Sequence, residues 1–218
     1  FSLYEKAYTP WEWHERLIGE GKELGMDVFS SPFDFSAVDF LESLNVSAYK
    51  IASPEITDIP LIKKIGETRK PVILSTGVAL LEDISLAVKT LQEQGCPGII
   101  LLKCTTAYPA PPEEINLRTI PHMAEMFDCL VGISDHTLGV GVPIAAVSLG
   151  AKLIEKHFII ERNDSSVDSF FSLIPEEFKL MVDEVRKVEE ALGKVTYEPT
   201  PGAQKNRWAR RSLYISNR

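Results

Sequence analysis

The chain has 218 residues, 44% of them hydrophobic, enough to bury a substantial core within one large domain. Charged residues make up 25%, the formal net charge is −8, and no Lys/Arg run exceeds the Arg207 to Arg211 cluster, which argues against nucleic acid or anionic membrane as the main partner. Cys96, Cys104 and Cys129 are odd in number and scattered, as expected of reduced thiols in a cytoplasmic protein, and no apolar stretch approaches the ~20 residues that span a bilayer.

Short apolar runs of β type alternate with longer amphipathic segments. The first helix is signalled by Thr9-Pro10-Trp11-Glu12, with Thr9 as cap, Pro10 at the first helical position and Glu12 closing a capping box. Strands are then expected at Met26 to Ser30, Ala48 to Ser53, Pro71 to Ser75, Gly98 to Cys104, Leu130 to Ser134 and Lys152 to Ile160. Between them helices are expected at Ser36 to Leu44, Ile59 to Thr68, Leu81 to Gln94, Leu117 to Phe127 and Gly141 to Leu149. A last helix runs from Pro175 to Leu192, where Phe178, Met181, Val182, Val185, Val188 and Leu192 form one apolar stripe.

This alternation implies a parallel sheet, open or closed. Five of the six strands end in polar or reactive residues: Ser30-Ser31, Lys50 to Ser53, Ser75-Thr76, Lys103 to Thr106 and Ser134 to Thr137, and the sixth carries His157. Such ends converge on one mouth in a barrel but not in an open sheet, so the expected fold class is an α/β (β/α)8 TIM barrel with about six of eight units present. The capped first helix at the start leads to the expectation that the two remaining units lie upstream of Phe1. Residues 1–194 are the expected barrel portion, and 195–218, with Tyr197-Glu-Pro-Thr-Pro-Gly and Arg210-Arg211, the expected linker out of it.

His136, in Gly132-Ile-Ser-Asp-His-Thr137, and His157, in Glu155-Lys-His-Phe158, end neighbouring strands. Two imidazoles so placed can hold a catalytic divalent metal with positions left open for substrate, or can be hydrogen-bonded rim histidines. His14 and His122 fall within helices and are expected at the surface. Lys50, with Ser53 and Glu55 just beyond it, suits a phosphate or carboxylate in a barrel mouth, or snorkels at the rim. Lys103 is a candidate Schiff-base lysine. Ser75-Thr76-Gly77 has the look of an anion-binding turn or of a plain tight turn, and Asp168 and Ser172 stand in a polar loop where a carboxylate could meet sugar hydroxyls, cap a helix or face solvent.

Phe29-Ser-Ser-Pro-Phe33, Tyr49-Lys-Ile-Ala-Ser-Pro-Glu55, Leu74-Ser-Thr-Gly77, Leu102-Lys-Cys-Thr-Thr-Ala-Tyr-Pro109, Ser134-Asp-His-Thr-Leu-Gly139 and Leu149-Gly-Ala-Lys-Leu-Ile-Glu-Lys-His-Phe158 occur in this order. The set resembles the sialic acid synthase family, which includes N-acetylneuraminate, legionaminate and pseudaminate synthases. Thr9-Pro-Trp-Glu-Trp-His14, Pro109-Ala-Pro-Pro-Glu-Glu114, Asp168-Ser-Phe-Phe-Ser172 and Arg210-Arg-Ser-Leu-Tyr214 are most similar to the pseudaminate branch.

The resemblance implies a metal-dependent transferase that condenses phosphoenolpyruvate with an open-chain N-acetylated amino sugar, releasing phosphate and giving a nonulosonic acid. It further implies Mn2+ or Mg2+ on His136 and His157, with Lys50, Ser53 and Ser75 on phosphoenolpyruvate and Ser31 and Thr106 nearby. Glu55, Tyr108 and Asp168 would surround the sugar and the reacting centre, with Glu55 or a metal-bound hydroxide as the base that activates water. It also implies a homodimer in which a small antifreeze-like C-terminal domain reaches across to the partner's site. The family's opening strands bear an active-site glutamate and lysine, so this piece alone is expected to be inactive. The family's Gly-Pro-Asp loop reads Ser166-Val167-Asp168 here. Two rival readings are a Schiff-base aldolase using Lys103 and a non-catalytic sugar-binding module.

Overall fold

A computed structural model describes residues 8–162 and 168–210. The expected loop residues Ser166 and Val167 and the segment Arg211 to Tyr214 lie outside the described residues. Helices α1 (Trp11–Glu23) and α2 (Phe35–Ser43) precede the sheet. Then follow β1 (Tyr49–Ile51), α3 (Ile59–Glu67), β2 (Val72–Ser75), α4 (Leu81–Glu93), β3 (Ile99–Cys104), α5 (Thr119–Phe127), β4 (Leu130–Asp135), α6 (Gly141–Ser148), β5 (Ile154–Lys156) and α7 (Pro175–Leu192). The sheet is parallel with its five strands in chain order, as successive β/α units produce. Beyond Gly193 come a short helix α8 (Pro201–Gln204) and a 3-10 turn (Arg207–Ala209), both exposed. No helix among the described residues is long and apolar enough to cross a membrane.

Strand alternation sorts the side chains onto two faces. Tyr49, Ile51, Val72, Leu74, Ile99, Leu101, Val131 and Ile133 point outward into the main hydrophobic core, where Leu61, Ile62, Leu91, Ile120 and Ala146 of the helices cover them. The opposite parity, comprising Lys50, Ser75, Cys104, Ser134, Glu155 and His157, faces inward, and it is there that the polar residues gather.

The sheet is strongly curled into a half-barrel. Lys50 on β1 and Glu155 on β5 form an ion pair at 3.3 Å although they stand on opposite edge strands. Four strand spacings in a flat sheet would hold those edges about 19 Å apart, beyond the joint reach of the two side chains. The curl therefore brings the carboxyl ends of the edge strands face to face.

Four local expectations are corrected. Thr9 does not cap α1: Pro10 is the N-cap with no side-chain hydrogen bond, and the His14 ring nitrogen instead reaches the Pro10 carbonyl at 3.1 Å. His14 is also half-buried rather than a surface residue, since Trp11 stacks on Phe40 at 4.4 Å and His14 meets the same ring edge-on at 5.4 Å. The strand expected at Met26 to Ser30 shrinks to a single bridge from Ser30 to Tyr49, leaving Met26 and Phe29 exposed. Among the described residues no strand flanks that edge, so the segment lacks a second ladder to extend it. The last strand ends at Lys156, because beyond His157 the chain pairs instead with the returning segment through Phe158 and Leu173.

Candidate active site

The inner face of the half-barrel holds an anion-type cluster. The Lys50 ammonium is nearly buried, donates to Ser75 Oγ at 2.8 Å and pairs with Glu155, whose second oxygen accepts Ser134 Oγ at 2.7 Å. Beside it, the Gly77 N–H donates to Ser53 Oγ at 3.0 Å, closing the turn after β2 onto the turn after β1. A Cβ on Gly77 would lie 2.2 Å from Thr106 Oγ1, 2.8 Å from Cys104 Sγ and 2.9 Å from Ser53 Oγ, so the close approach of three strand ends requires glycine there. Ser53 and Thr106 thus meet around Gly77, two residues beyond Ser75.

The histidines meet on the same face, with ring centroids 5.3 Å apart at a steep angle. Tyr108 lies over both, 4.4 Å from the His136 ring and 6.1 Å from that of His157. Phe171, fully buried, closes the group 4.8 Å from His157. The loop carrying Asp168 and Phe171 is fastened to the end of β5 by the Leu173 N–H on the His157 carbonyl at 2.9 Å. That attachment sets Asp168 Oδ2 3.4 Å from His157 Nδ1.

Burial and partners set the charges. His136 would be pushed down by burial, but the neighbouring Cys104 sulfur and the Thr105 carbonyl outweigh this and hold it above the ordinary imidazole range. Burial likewise opposes ionisation of Cys104, yet His136 and the Ser53 and Ser134 hydroxyls bring its thiol below the usual range. His157 lies below its ordinary value, chiefly through burial, despite Asp168. Burial raises Glu55, whose Oε2 is buried without a hydrogen-bond partner among the described residues.

The two imidazoles could supply two of the ligands of a divalent cation. His136 Nδ1 faces the Thr105 carbonyl at 2.9 Å and His157 Nδ1 lies 3.4 Å from Asp168 Oδ2, so Nε2 would be the nitrogen each offers a metal, that of His136 in exchange for Cys104; acceptors behind the ring are how metal-binding histidines are oriented. Among the described residues no group of three or more His, Cys, Asp or Glu could hold a metal, so water or substrate would complete the shell.

A model described as the NeuB family matches residues 1–197. The chain belongs to the NeuB family. A pseudaminic acid synthase from Campylobacter jejuni (strain 81-176) is 44% identical over 99% of this chain and 63% of its own length. One from Helicobacter pylori is 42% identical over 99% of this chain and 64% of its own length, so this NeuB-family chain spans just under two thirds of these curated relatives. The crystal structure of an N-acetylneuraminic acid synthetase from Leptospira borgpetersenii, in complex with citrate, superposes with a TM-score of 0.86 at 30% identity, covering 96% of this chain and 73% of that one.

Not every candidate joins the cluster of this NeuB-family site. Lys103 has the opposite parity to Cys104 and its ammonium turns back to the Cys104 carbonyl at 2.8 Å and Thr105 Oγ1 at 3.2 Å. Burial lowers its pKa, but it does not share the inner face with Lys50, so the Schiff-base alternative loses its geometry. Ser31 lines a cavity of about 570 Å³ with Trp11, His14 and Phe40 rather than hydrogen-bonding in the cluster. His122 is exposed.

Ser134, Glu155, Cys104 and Phe171 enter the site without having been singled out. For Glu155 the signal was available, since it precedes His157 by two and so shares its face of the strand. Behind the histidines, Asp135 and Lys156 form an ion pair at 2.6 Å on the outer face, with both side chains fully buried. The three cysteines are free.

Proposed function

We propose that the protein condenses phosphoenolpyruvate with an open-chain N-acetylated amino sugar, releasing phosphate and forming a nonulosonic acid of the pseudaminic type. The observation that carries this reading is the meeting of a buried Lys50–Ser75–Ser53 anion cluster with the His136–His157 pair on one curled face. The pseudaminic acid synthases that match nearly all of the chain support the choice of product. We propose further that the five strands are an arc of a closed (β/α)8 barrel formed by residues 1–194 with further units, the form in which strand ends from several units share one mouth.

In this reading Lys50, Ser53 and Ser75 bind and orient phosphoenolpyruvate, with Thr106 beside them. A Mn2+ or Mg2+ ion held by His136 and His157 would polarise the sugar aldehyde as a Lewis acid, which the weakly nucleophilic carbon 3 of phosphoenolpyruvate needs. Tyr108 and Asp168, set against those histidines, border the sugar. Addition leaves carbon 2 cationic, and Glu55 accepts the proton from the water that adds there. Burial raises its pKa above that of an ordinary carboxylate, which makes it a stronger base, and among the described residues no partner holds its Oε2. Phosphate then leaves from the tetrahedral adduct with its growing charge met by Lys50.

The test is phosphate release from phosphoenolpyruvate by the full-length gene product with manganese and a panel of amino sugars. Release that depends on an N-acetylated amino sugar is expected. Absence of release with every sugar, while sugar still binds, would refute the reading in favour of a sugar-binding module.

A further inference from the structure

Glu155 is bound by its neighbours as a ligand would be. One carboxylate oxygen takes the Lys50 ammonium at 3.3 Å and the other takes Ser134 Oγ at 2.7 Å, while Lys50 also donates to Ser75 at 2.8 Å. An ammonium on one oxygen and a hydroxyl on the other is the pattern by which proteins hold carboxylate and phosphate groups. Glu155 reaches this position from the opposite edge strand, and its side chain is 39% exposed against 10% for Lys50, so it covers the ammonium from the open side.

We propose that Glu155 is a built-in stand-in for the substrate anion. With no substrate present its carboxylate occupies the position between Lys50 and Ser134 that an anionic group of phosphoenolpyruvate takes, and substrate must displace it to bind. The inference rests on the function proposed above. It makes Glu155 a residue that sets substrate affinity, because part of the attraction of Lys50 is spent in separating a pair already formed.

Calorimetric titrations of phosphoenolpyruvate, and separately of inorganic phosphate, into metal-free wild-type, Glu155→Gln and Glu155→Asp protein test this. Glu155→Gln keeps a hydrogen-bond acceptor for Ser134 but removes the competing charge, so phosphoenolpyruvate should bind about three- to tenfold tighter, the discount reflecting partial solvent screening. Glu155→Asp, with a shorter reach to Lys50, should fall between the two and guards against a fold defect peculiar to the amide. Parallel tightening of phosphate would support displacement by the phosphoryl group, and tightening confined to phosphoenolpyruvate would support displacement by its carboxylate. Wild-type binding with equal or weaker binding in both variants would overturn the role of Glu155 alone. If neither wild type nor variants bind phosphoenolpyruvate, the functional reading fails and this inference with it.

Discussion

Replacing Lys156 by Met isolates what holds the two histidine-bearing strand ends together. Lys156 Nζ meets Asp135 Oδ2 at 2.6 Å and also donates to the Thr137 carbonyl, and neither charged side chain has any exposure. In Lys156→Met, Asp135 keeps the Thr137 N–H at 3.0 Å and hydroxyl at 3.1 Å but loses its counter-charge, while the Thr137 carbonyl loses a donor. Breaking a buried pair from one side typically costs about 3–5 kcal/mol. That is a large share of the roughly 5–15 kcal/mol that stabilises a domain. At about 2–4 °C per kcal/mol for a chain of this size, the midpoint of thermal unfolding should fall by roughly 6–20 °C. The double variant Asp135→Asn/Lys156→Met removes both charges and should recover a good part of the loss, measured by urea unfolding of all three proteins. A single variant within about 1 kcal/mol of wild type, or a double variant as unstable as the single, would refute the claim that this pair pins β4 to β5.

Further outcomes follow from the same geometry. Glu55→Gln should lower kcat by about 10²- to 10⁴-fold and abolish the acidic limb of the pH–rate profile, which in wild type lies above the ordinary carboxylate range because burial raises Glu55; an unchanged limb would exclude it as the base. A raised native pKa contributes stability that is present below the unfolded value and lost as pH rises, so wild type should lose stability relative to Glu55→Gln as pH climbs through and above the ordinary carboxylate range; a flat difference in urea midpoints would contradict this. Gly77→Ala drives a methyl into Thr106, Cys104 and Ser53 and should cost about 1–3 kcal/mol while weakening phosphoenolpyruvate binding; a neutral variant would show that the strand ends are looser than described.

Much of this architecture is legible in the sequence because each unit is local. Runs such as Ile99–Cys104 and Leu130–Asp135 carry apolar strand character, and the stripe through Phe178, Met181 and Val185 carries helical period. The convergence of His136 and His157 follows from two strand ends in succession. What escapes is what depends on distant partners. Lys50 and Lys103 look alike as strand lysines, and only the parity of each in the sheet sends one inward and the other back onto its own turn. Glu155 gains its role from a partner on the opposite edge strand, which no local pattern contains. Ser30 alone pairs where a full strand was expected, because pairing needs a neighbour as well as propensity. Thr9 fails as a cap for the opposite reason, since Pro10 and His14 occupy the first turn in its place.

The most direct test of the account is anomalous diffraction from crystals grown with manganese and phosphoenolpyruvate. One metal peak bonded to Nε2 of both His136 and His157 is expected, with an anionic group of phosphoenolpyruvate on Lys50 and Ser75 and the Glu155 carboxylate moved away from Lys50. Absence of a metal peak at high manganese, with His136 still hydrogen-bonded to Thr105 and His157 still against Asp168, or phosphoenolpyruvate bound away from Lys50, would contradict it.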